Sequence, residues 1–176
     1  MSDAPTMPRD RGRWMAIDWG ERRIGLAISD PSGIIATPSG VIVRRAGKRP
    51  PIAELVRRAT ALEARAIVMG LPLDGEGDDT PRSLECRRIA GELARRTSLP
   101  VALMDERFST ASALRGVRES GGSAQDRKAD IDALAAATIL QQAMRMQTLP
   151  LVEVAAEPSA EPAEPTTSSV DIDASR

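Results

Sequence analysis

The sequence predicts an α/β protein with a mixed five-stranded sheet: a meander of three antiparallel strands, two parallel strands, and helices on both faces. Two observations lead to this prediction. Three strand-like segments separated only by short turns come first, and apolar strand-like segments then alternate with segments of helical periodicity. Hairpin-linked strands pair antiparallel, whereas strands joined through helices enter a sheet by right-handed parallel crossovers.

The first three strands are predicted from short apolar segments. "WMAID" reads as a buried strand, "RIGLAIS" alternates apolar and polar residues like a half-buried neighbour, and "GVIVRR" forms the third strand. The linker "WGERR" has hairpin length, and "DPSG" has the composition of a turn.

The second half alternates helices and strands. A helix is predicted after Pro50-Pro51 and another after Thr80-Pro81, where Thr80 is the N-cap. "RAIVMGLPL" and "LPVALMDER" are the fourth and fifth strands. A short helix is expected from about Thr110 to Ser120, then a basic loop, "SAQDRKA", and a last helix from Asp130 to about Gln147. The apolar stripe of the second helix includes Cys86, which is predicted to be a core residue.

Composition sets the domain limits. Residues 1–12 and 150–176 are rich in Pro and charged or small residues and predict disordered extensions, which leaves 13–149 as the domain. No apolar run is long enough for a membrane span, and the first residues lack the apolar segment of a signal peptide. A cytoplasmic protein without membrane contact is therefore expected.

The 176 residues include no histidine and one cysteine, which restricts the possible chemistry. Catalysis by Ser-His-Asp or Cys-His and zinc sites built from His or several Cys are excluded. Oxygen ligands from Asp and Glu remain, and these favour Mg²⁺ or Mn²⁺. The net charge of −1 hides an acidic tail, because residues 1–150 carry a net charge of +4. Such a body is compatible with a polyanionic partner.

Three carboxylates are predicted to meet at the carboxyl end of the sheet. Asp18 lies on the first strand, Glu106 just beyond the fifth, and Asp132 near the start of the last helix. Each alone could be a turn or cap residue, and Asp105-Glu106-Arg107 could be a self-neutralising surface patch. All three together would repel one another unless a cation lay between them, so the sequence predicts a metal site.

Asp130 is a second candidate ligand on the same helix. Residues two apart on a helix point about 200° away from each other, so the two acids cannot both face one site. The face that begins at Asp132 continues through small and apolar residues, whereas the face from Asp130 is more polar. Asp132 is therefore predicted as the ligand.

Carboxylate-held Mg²⁺ or Mn²⁺ ions suit the hydrolysis of phosphodiesters, and two ions about 4 Å apart could activate water and stabilise the leaving oxygen. The predicted substrate is nucleic acid. Basic or polar residues expected to bind it are Arg23, Arg107, Thr110, Arg127 and Lys128. For the loop residues 127 and 128, surface solubility is an equally good interpretation.

Four ordered blocks resemble the YqgF (RuvX) family: "IDWGERRIGLAISDPSG", "IVMGLPLDGEG", "LPVALMDERFST" and "KADIDALAAATILQ". The resemblance covers about residues 14–142. It implies an RNase H-like fold related to the RuvC resolvase. Members are described as pre-16S rRNA nucleases and, earlier, as Holliday junction resolvases. The family's three acids correspond to Asp18, Glu106 and Asp132.

The resemblance implies 5′-end processing of pre-16S rRNA, with pre-ribosomal particles as partners, and Holliday junction resolution as the alternative. Three positions depart from the family pattern, namely Glu21, Asp74 and the additional acid Asp130. Two further alternatives stay open. "DWGERRIGLAISD" also resembles the phosphate-binding hairpin of actin-like ATPases, although no second such hairpin follows. A nucleic-acid-binding module without catalytic activity is the other.

Overall fold

A computed structural model describes residues 12–45, 47–107, 125–146, 149, 151 and 152. Within these residues the chain forms five strands and three helices. In chain order they are β1 (Arg13–Trp19), β2 (Arg23–Ser29), β3 (Ala36–Val43), α1 (Ile52–Ala61), β4 (Ala64–Leu71), α2 (Pro81–Thr97), β5 (Val101–Asp105) and α3 (Gln125–Arg145).

The strands form one sheet in the order β3-β2-β1-β4-β5. β2 pairs antiparallel with both β1 and β3, whereas β4 pairs parallel with β1 and with β5. The predicted fold class is therefore confirmed, with β1 at the centre. The carboxyl ends of β1, β3, β4 and β5 lie at one edge of the sheet, which is where α/β sheets commonly bind ligands.

The two faces of the sheet bury different kinds of side chain. Large residues such as Met15, Ile17 and Leu55 pack between the sheet and α1 and α2. The other face carries small residues, among them Ala16 and Ala27, which pack against the alanine-rich α3. Successive residues of a strand point to alternate faces. Asp18, two residues after Ala16, and Glu106, two residues after Met104, therefore lie on the side of the sheet that α3 covers.

The start of α2 follows its sequence signals. The Thr80 side chain accepts a hydrogen bond from the Ser83 N–H, and the Ser83 hydroxyl accepts one from the Thr80 N–H, which completes a capping box. Pro81 occupies the first helical turn. The predicted N-cap is confirmed, as is the burial of Cys86 in the core.

The last helix begins at Gln125, so the prediction of a basic loop before residue 130 was wrong. The segment "QDRKA" has no apolar periodicity, but its Gln, Arg, Lys and Ala residues are good helix formers. The predicted helix at 110–120 lies outside the described residues. Leu151 and Val152, placed in the tail by composition, pair with β5.

The remaining expectations for the chain ends, 1–11 and 153–176, fall outside the described residues. Gly12 is described, and its N–H donates to the Pro31 carbonyl. Among the described helices, none combines the length and apolar character that crossing a lipid bilayer requires.

Candidate active site

Three acidic side chains are almost completely buried on the α3 side of the sheet. Asp18 is 1% exposed, Glu106 2% and Asp132 1%. They come from β1, from the residue after β5, and from α3, so the carboxyl edge of the sheet collects acids from three distant parts of the sequence. Acidic residues are rarely buried to this extent unless they are compensated, which marks this edge as a candidate active site.

Gly25 allows Asp132 to approach the centre of the sheet. Gly25 is the register partner of Asp18 in the β1–β2 ladder. A Cβ atom at Gly25 would overlap the backbone carbonyl of Asp132, so only glycine permits α3 to lie directly on β2 here. The helix that carries Asp132 is thereby held against the strand next to Asp18.

Gly70 has the same role for Glu106. It follows Met69, the register partner of Ile17, and therefore lies beside Asp18 on the other flank of β1. A Cβ atom at Gly70 would overlap Glu106 Oε1, so the Glu106 carboxylate occupies the space that a side chain on β4 would fill. The Glu106 N–H donates to the Leu71 carbonyl, which fixes the chain where it leaves β5.

Asp130 and Asp132 of α3 face opposite ways. Asp132 is buried, whereas Asp130 is exposed, which follows from their separation of two residues on one helix. Arg23, at the start of β2, lies with its Nη1 atom 3.7 Å from Asp132 Oδ2 and is 21% exposed. Arg23 thus supplies a positive charge at the solvent side of the buried acids.

Asp105 and Arg107, which flank Glu106, form a surface pair. The Arg107 side chain donates to both Asp105 carboxylate oxygens, with the shortest contact 2.7 Å, from Nη2 to Oδ2. These bonds hold the pKa of Asp105 below its usual value and raise the pKa of Arg107. The self-neutralising patch considered from the sequence therefore exists for these two residues, while Glu106 points inward.

Arg107 also contacts the loop after β4. Its guanidinium lies against Gly77, whose φ of +99° suits glycine. In that loop Asp74 Oδ1 accepts hydrogen bonds from the N–H groups of Asp78, Gly77 and Glu76, which lower the pKa of Asp74. The predicted role of Arg107 in phosphate binding stays a prediction, because this side chain is already engaged with Asp105.

Two arginines hold the turn that follows Asp18. Arg82 of α2 donates to the Trp19 carbonyl at 3.1 Å, and Arg44 donates to the Gly20 carbonyl at 2.8 Å. The Arg44 guanidinium lies 4.5 Å from the centre of the buried Trp19 ring and pairs with Glu85 of α2 at 2.8 Å. These contacts connect the end of β1 to α2 and to the segment after β3.

The donor set fits a hard divalent cation in chemistry, because three buried carboxylates provide oxygen ligands and both flanking glycines leave space for them. Over the described ranges, however, no group of three acidic or cysteine side chains is arranged to hold a metal ion. The three acids share one face and one edge of the sheet. The predicted metal site thus stays a prediction.

The sequence interpretation missed four residues that shape the site, namely Gly25, Gly70, Arg44 and Arg82. An isolated glycine within a strand pattern signals close approach of another group, and this signal was present in "RIGLAIS" and "RAIVMGLPL". The arginine contacts had no comparable signal. Of the predicted substrate-binding residues, Thr110 and the side chains of Arg127 and Lys128 lie outside what the structure describes.

The strand order, with α3 packed over the face that carries Asp18 and Glu106, defines an α/β protein of the RNase H-like class. A solved structure with a similar fold is that of T. thermophilus RuvC in complex with Holliday junction substrate. It has a TM-score of 0.50 and 16% sequence identity, and the match covers 80% of this chain and 99% of that one.

The chain belongs to the RuvX family, described as Holliday junction resolvase, whose model matches residues 12–146. Relatives named "Putative pre-16S rRNA nuclease" come from Koribacter versatilis (42% identical, 74% of this chain, 84% of the relative) and Streptomyces coelicolor (39%, 83% and 86%). The relative from Clavibacter michiganensis is 39% identical over 77% of this chain and 84% of its own length. The family resemblance and the predicted nuclease class are confirmed.

Proposed function

We propose that this protein is a divalent-metal-dependent nuclease that hydrolyses phosphodiester bonds of structured RNA, with the 5′ region of precursor 16S rRNA as its substrate. The relatives' names support the substrate, and pre-ribosomal particles in the cytoplasm are the setting in which that RNA occurs. The acids at the carboxyl edge of the sheet supply the chemistry.

One observation carries the proposal: Asp18 is flanked across the sheet by two glycines, and each glycine accommodates an element that brings a further buried acid. Gly25 accommodates the backbone of Asp132, and Gly70 accommodates the carboxylate of Glu106. Sheet packing alone does not require glycine at both positions, since a small side chain such as alanine is common on this face. The arrangement therefore favours a functional role for the three acids.

Asp18, Glu106 and Asp132 would hold Mg²⁺ or Mn²⁺, because these ions prefer carboxylate oxygens. The bound ions would supply activation of water and stabilisation of the leaving oxygen. Arg23, 3.7 Å from Asp132 and partly exposed, is placed to balance the charge of this acid and to meet a phosphate arriving from solvent. The chain itself thus provides both the acidic ligands and a cation at their rim.

Substrate recognition is expected to depend on the phosphate backbone and on shape. Only Trp14, Trp19 and Phe108 are aromatic; Trp19 is buried and Trp14 half-buried. Base stacking on aromatic side chains, which single-strand-binding proteins commonly use, is therefore a minor contribution here. Recognition by backbone and shape is typical of proteins that bind structured RNA.

The proposal is tested by cleavage of a labelled precursor 16S 5′ segment in the presence of Mg²⁺ or Mn²⁺. Asp18→Asn, Glu106→Gln and Asp132→Asn are each expected to reduce the rate by at least about 100-fold, since each removes a charged oxygen ligand. Asp130→Asn, an exposed acid two residues away on the same helix, is the matched control and should keep the wild-type rate. Wild-type rates in the three buried-acid variants would refute the proposed site.

A second candidate substrate is the four-way DNA junction, because the matching family model is described as Holliday junction resolvase. To distinguish the two activities, the same protein preparation is tested for cleavage of the precursor RNA segment and of a synthetic four-way junction of equal length. Cleavage of the RNA alone supports our proposal, and paired symmetric cuts in the junction alone would replace it with the resolvase activity.

A further inference from the structure

The turn between β3 and α1 carries a cluster of positive charge. Arg45, Lys48 and Arg49 are all exposed, and a cleft of about 200 Å³ opens between them and Arg44. Val43 and Pro51 complete its lining. Liquid water takes about 30 Å³ per molecule, so this volume has room for a phosphate group with several waters.

Within the described part of the chain, these three side chains form no hydrogen bond or ion pair. The ion pairs among the described residues engage other arginines, such as Arg44 with Glu85 and Arg23 with Asp132, but none reaches Arg45, Lys48 or Arg49. An exposed cation with no acidic neighbour retains its full attraction for an anion in solution. Their charge is thus available to an external partner.

The backbone presents these cations on a short and braced turn. The Lys48 N–H donates to the Arg45 carbonyl, and Gly47 has a φ of +69°, a backbone conformation that favours glycine. On one side the Arg44 N–H donates to the Arg22 carbonyl and extends the sheet. On the other side Pro50 and Pro51 restrict the backbone where α1 begins.

Arg44 joins this turn to the candidate active site. Its guanidinium donates to the Gly20 carbonyl, two residues after Asp18, and lies over the Trp19 ring. The position of the turn is therefore fixed relative to the end of β1. Since β1 and β3 are separated by one strand, their ends lie about 10 Å apart, at roughly 4.8 Å per strand.

We propose that Arg45, Lys48 and Arg49 form a second phosphate-binding site, which holds the RNA backbone a few nucleotides from the bond that is cut. The turn follows the carboxyl end of β3 and therefore lies at the same edge of the sheet as the acids. An RNA strand bound at both places would run along this edge. One strand of duplex DNA carries one phosphate per about 3.4 Å of helix axis, and at that spacing a 10 Å separation corresponds to about three phosphates. This inference rests on the proposed nuclease function.

The test compares two triple variants with the same change in charge. Arg45→Gln/Lys48→Gln/Arg49→Gln removes the proposed site. Its control, Arg65→Gln/Arg95→Gln/Arg145→Gln, removes three exposed arginines at the opposite end of the sheet, which also lack ion pairs among the described residues. Equal urea unfolding midpoints for both variants and the wild type would show that all three are folded.

Binding is measured by fluorescence anisotropy of a labelled RNA hairpin in EDTA, so that no cleavage occurs, at several salt concentrations. Each phosphate contact contributes about 0.7–0.9 to the slope of log affinity against log salt, so the turn variant should lose about 2–3 from this slope. We expect it to bind about tenfold more weakly at low salt, while the control keeps the wild-type slope. A DNA hairpin should respond alike, because phosphates are what the turn contacts.

Two results would overturn the inference: equal weakening in both triple variants, which indicates net charge alone, or wild-type binding in the turn variant. The proposed function fails separately. If the wild-type protein cuts no nucleic acid but the turn variant loses salt-dependent RNA binding, the binding site is supported and the nuclease proposal is refuted. If the wild-type protein cuts precursor RNA and the turn variant binds RNA as tightly as the wild type, the nuclease proposal is supported and the second binding site is refuted.

Discussion

At the scale of single residues, the glycines beside Asp18 determine how closely the acidic elements pack. A side chain at Gly70 would compete with the Glu106 carboxylate for the same space. A side chain at Gly25 would meet the backbone of α3, which cannot move without displacing the whole helix. An added Cβ at the two positions therefore has different consequences. At Gly70 the Glu106 side chain can rotate away, whereas at Gly25 the backbone of α3 would have to move.

Gly70→Ala is expected to destabilise the fold by about 1–3 kcal/mol, as overpacking of a dense core usually does, and to lower the cleavage rate by displacing Glu106. Urea unfolding measures the first effect and the precursor RNA assay the second. Gly91→Ala is the control, because this half-buried helical glycine has open space, with Arg95 Nη1 3.7 Å from the added Cβ. This control should raise the free energy of unfolding by about 0.5–1 kcal/mol, because alanine is favoured over glycine within a helix. Unchanged stability and activity in Gly70→Ala would contradict the packing described for this site.

At the scale of elements, the loop between β2 and β3 is organised by one carboxylate. Asp30 Oδ1 accepts hydrogen bonds at 2.7 Å from the N–H groups of Ile34 and Ile35, and Oδ2 accepts one at 3.1 Å from the Ser32 N–H. The bond from Ile35, followed by that from the Ser32 side chain, lowers the pKa of Asp30. The loop is thus stabilised by the ionised form of Asp30.

Asp30→Asn should therefore destabilise the protein at neutral pH, by an amount that shrinks in acid. A folded-state pKa below the unfolded value, about 3.9, means that the stabilisation is complete well above that value and declines as the pH falls below about 4. Urea unfolding midpoints of the variant and wild type at several pH values between 3 and 7 measure this difference. Asp130→Asn, on the exposed side of α3, is the reference, and a difference for Asp30→Asn that stays constant with pH would contradict the prediction.

At the scale of the whole molecule, the proposed metal should couple to folding. Three buried acids on one face repel one another, and a cation bound among them favours the folded state. A ligand present at 100 times its dissociation constant stabilises the folded state by about 2.7 kcal/mol. Mn²⁺ or Mg²⁺ is therefore expected to raise the melting temperature by several degrees, reversibly on addition of EDTA.

Asp18→Asn should lose most of this thermal shift, whereas Asp130→Asn should retain it, since only Asp18 belongs to the buried group. Scanning fluorimetry of the wild type and both variants with and without metal provides the measurement. An equal shift in Asp18→Asn and wild type would mean that the ion binds elsewhere. This readout does not depend on any nucleic-acid substrate.

Much of the fold could be predicted from the sequence, because the signals that specify it are local. Periodicity and turn residues indicated the five strands and the sheet type, and helical geometry placed Asp132 and Asp130 on opposite faces. The start of α3 was misplaced, because the polar turns of a helix carry no apolar periodicity. The absence of histidine limited the ionisable chemistry to carboxylates, basic residues and one cysteine.

Local patterns were thus sufficient to predict the family, the order of the strands and three candidate acids. The contacts between distant segments were not predictable in this way: Gly25 and Gly70 flank Asp18, Arg107 pairs with Asp105, and Arg44 connects the basic turn to the end of β1. These contacts depend on the register between strands and on the packing of helices that are far apart in the chain. No local pattern of residues encodes that register, because it is set when strands distant in the chain align in the folded sheet.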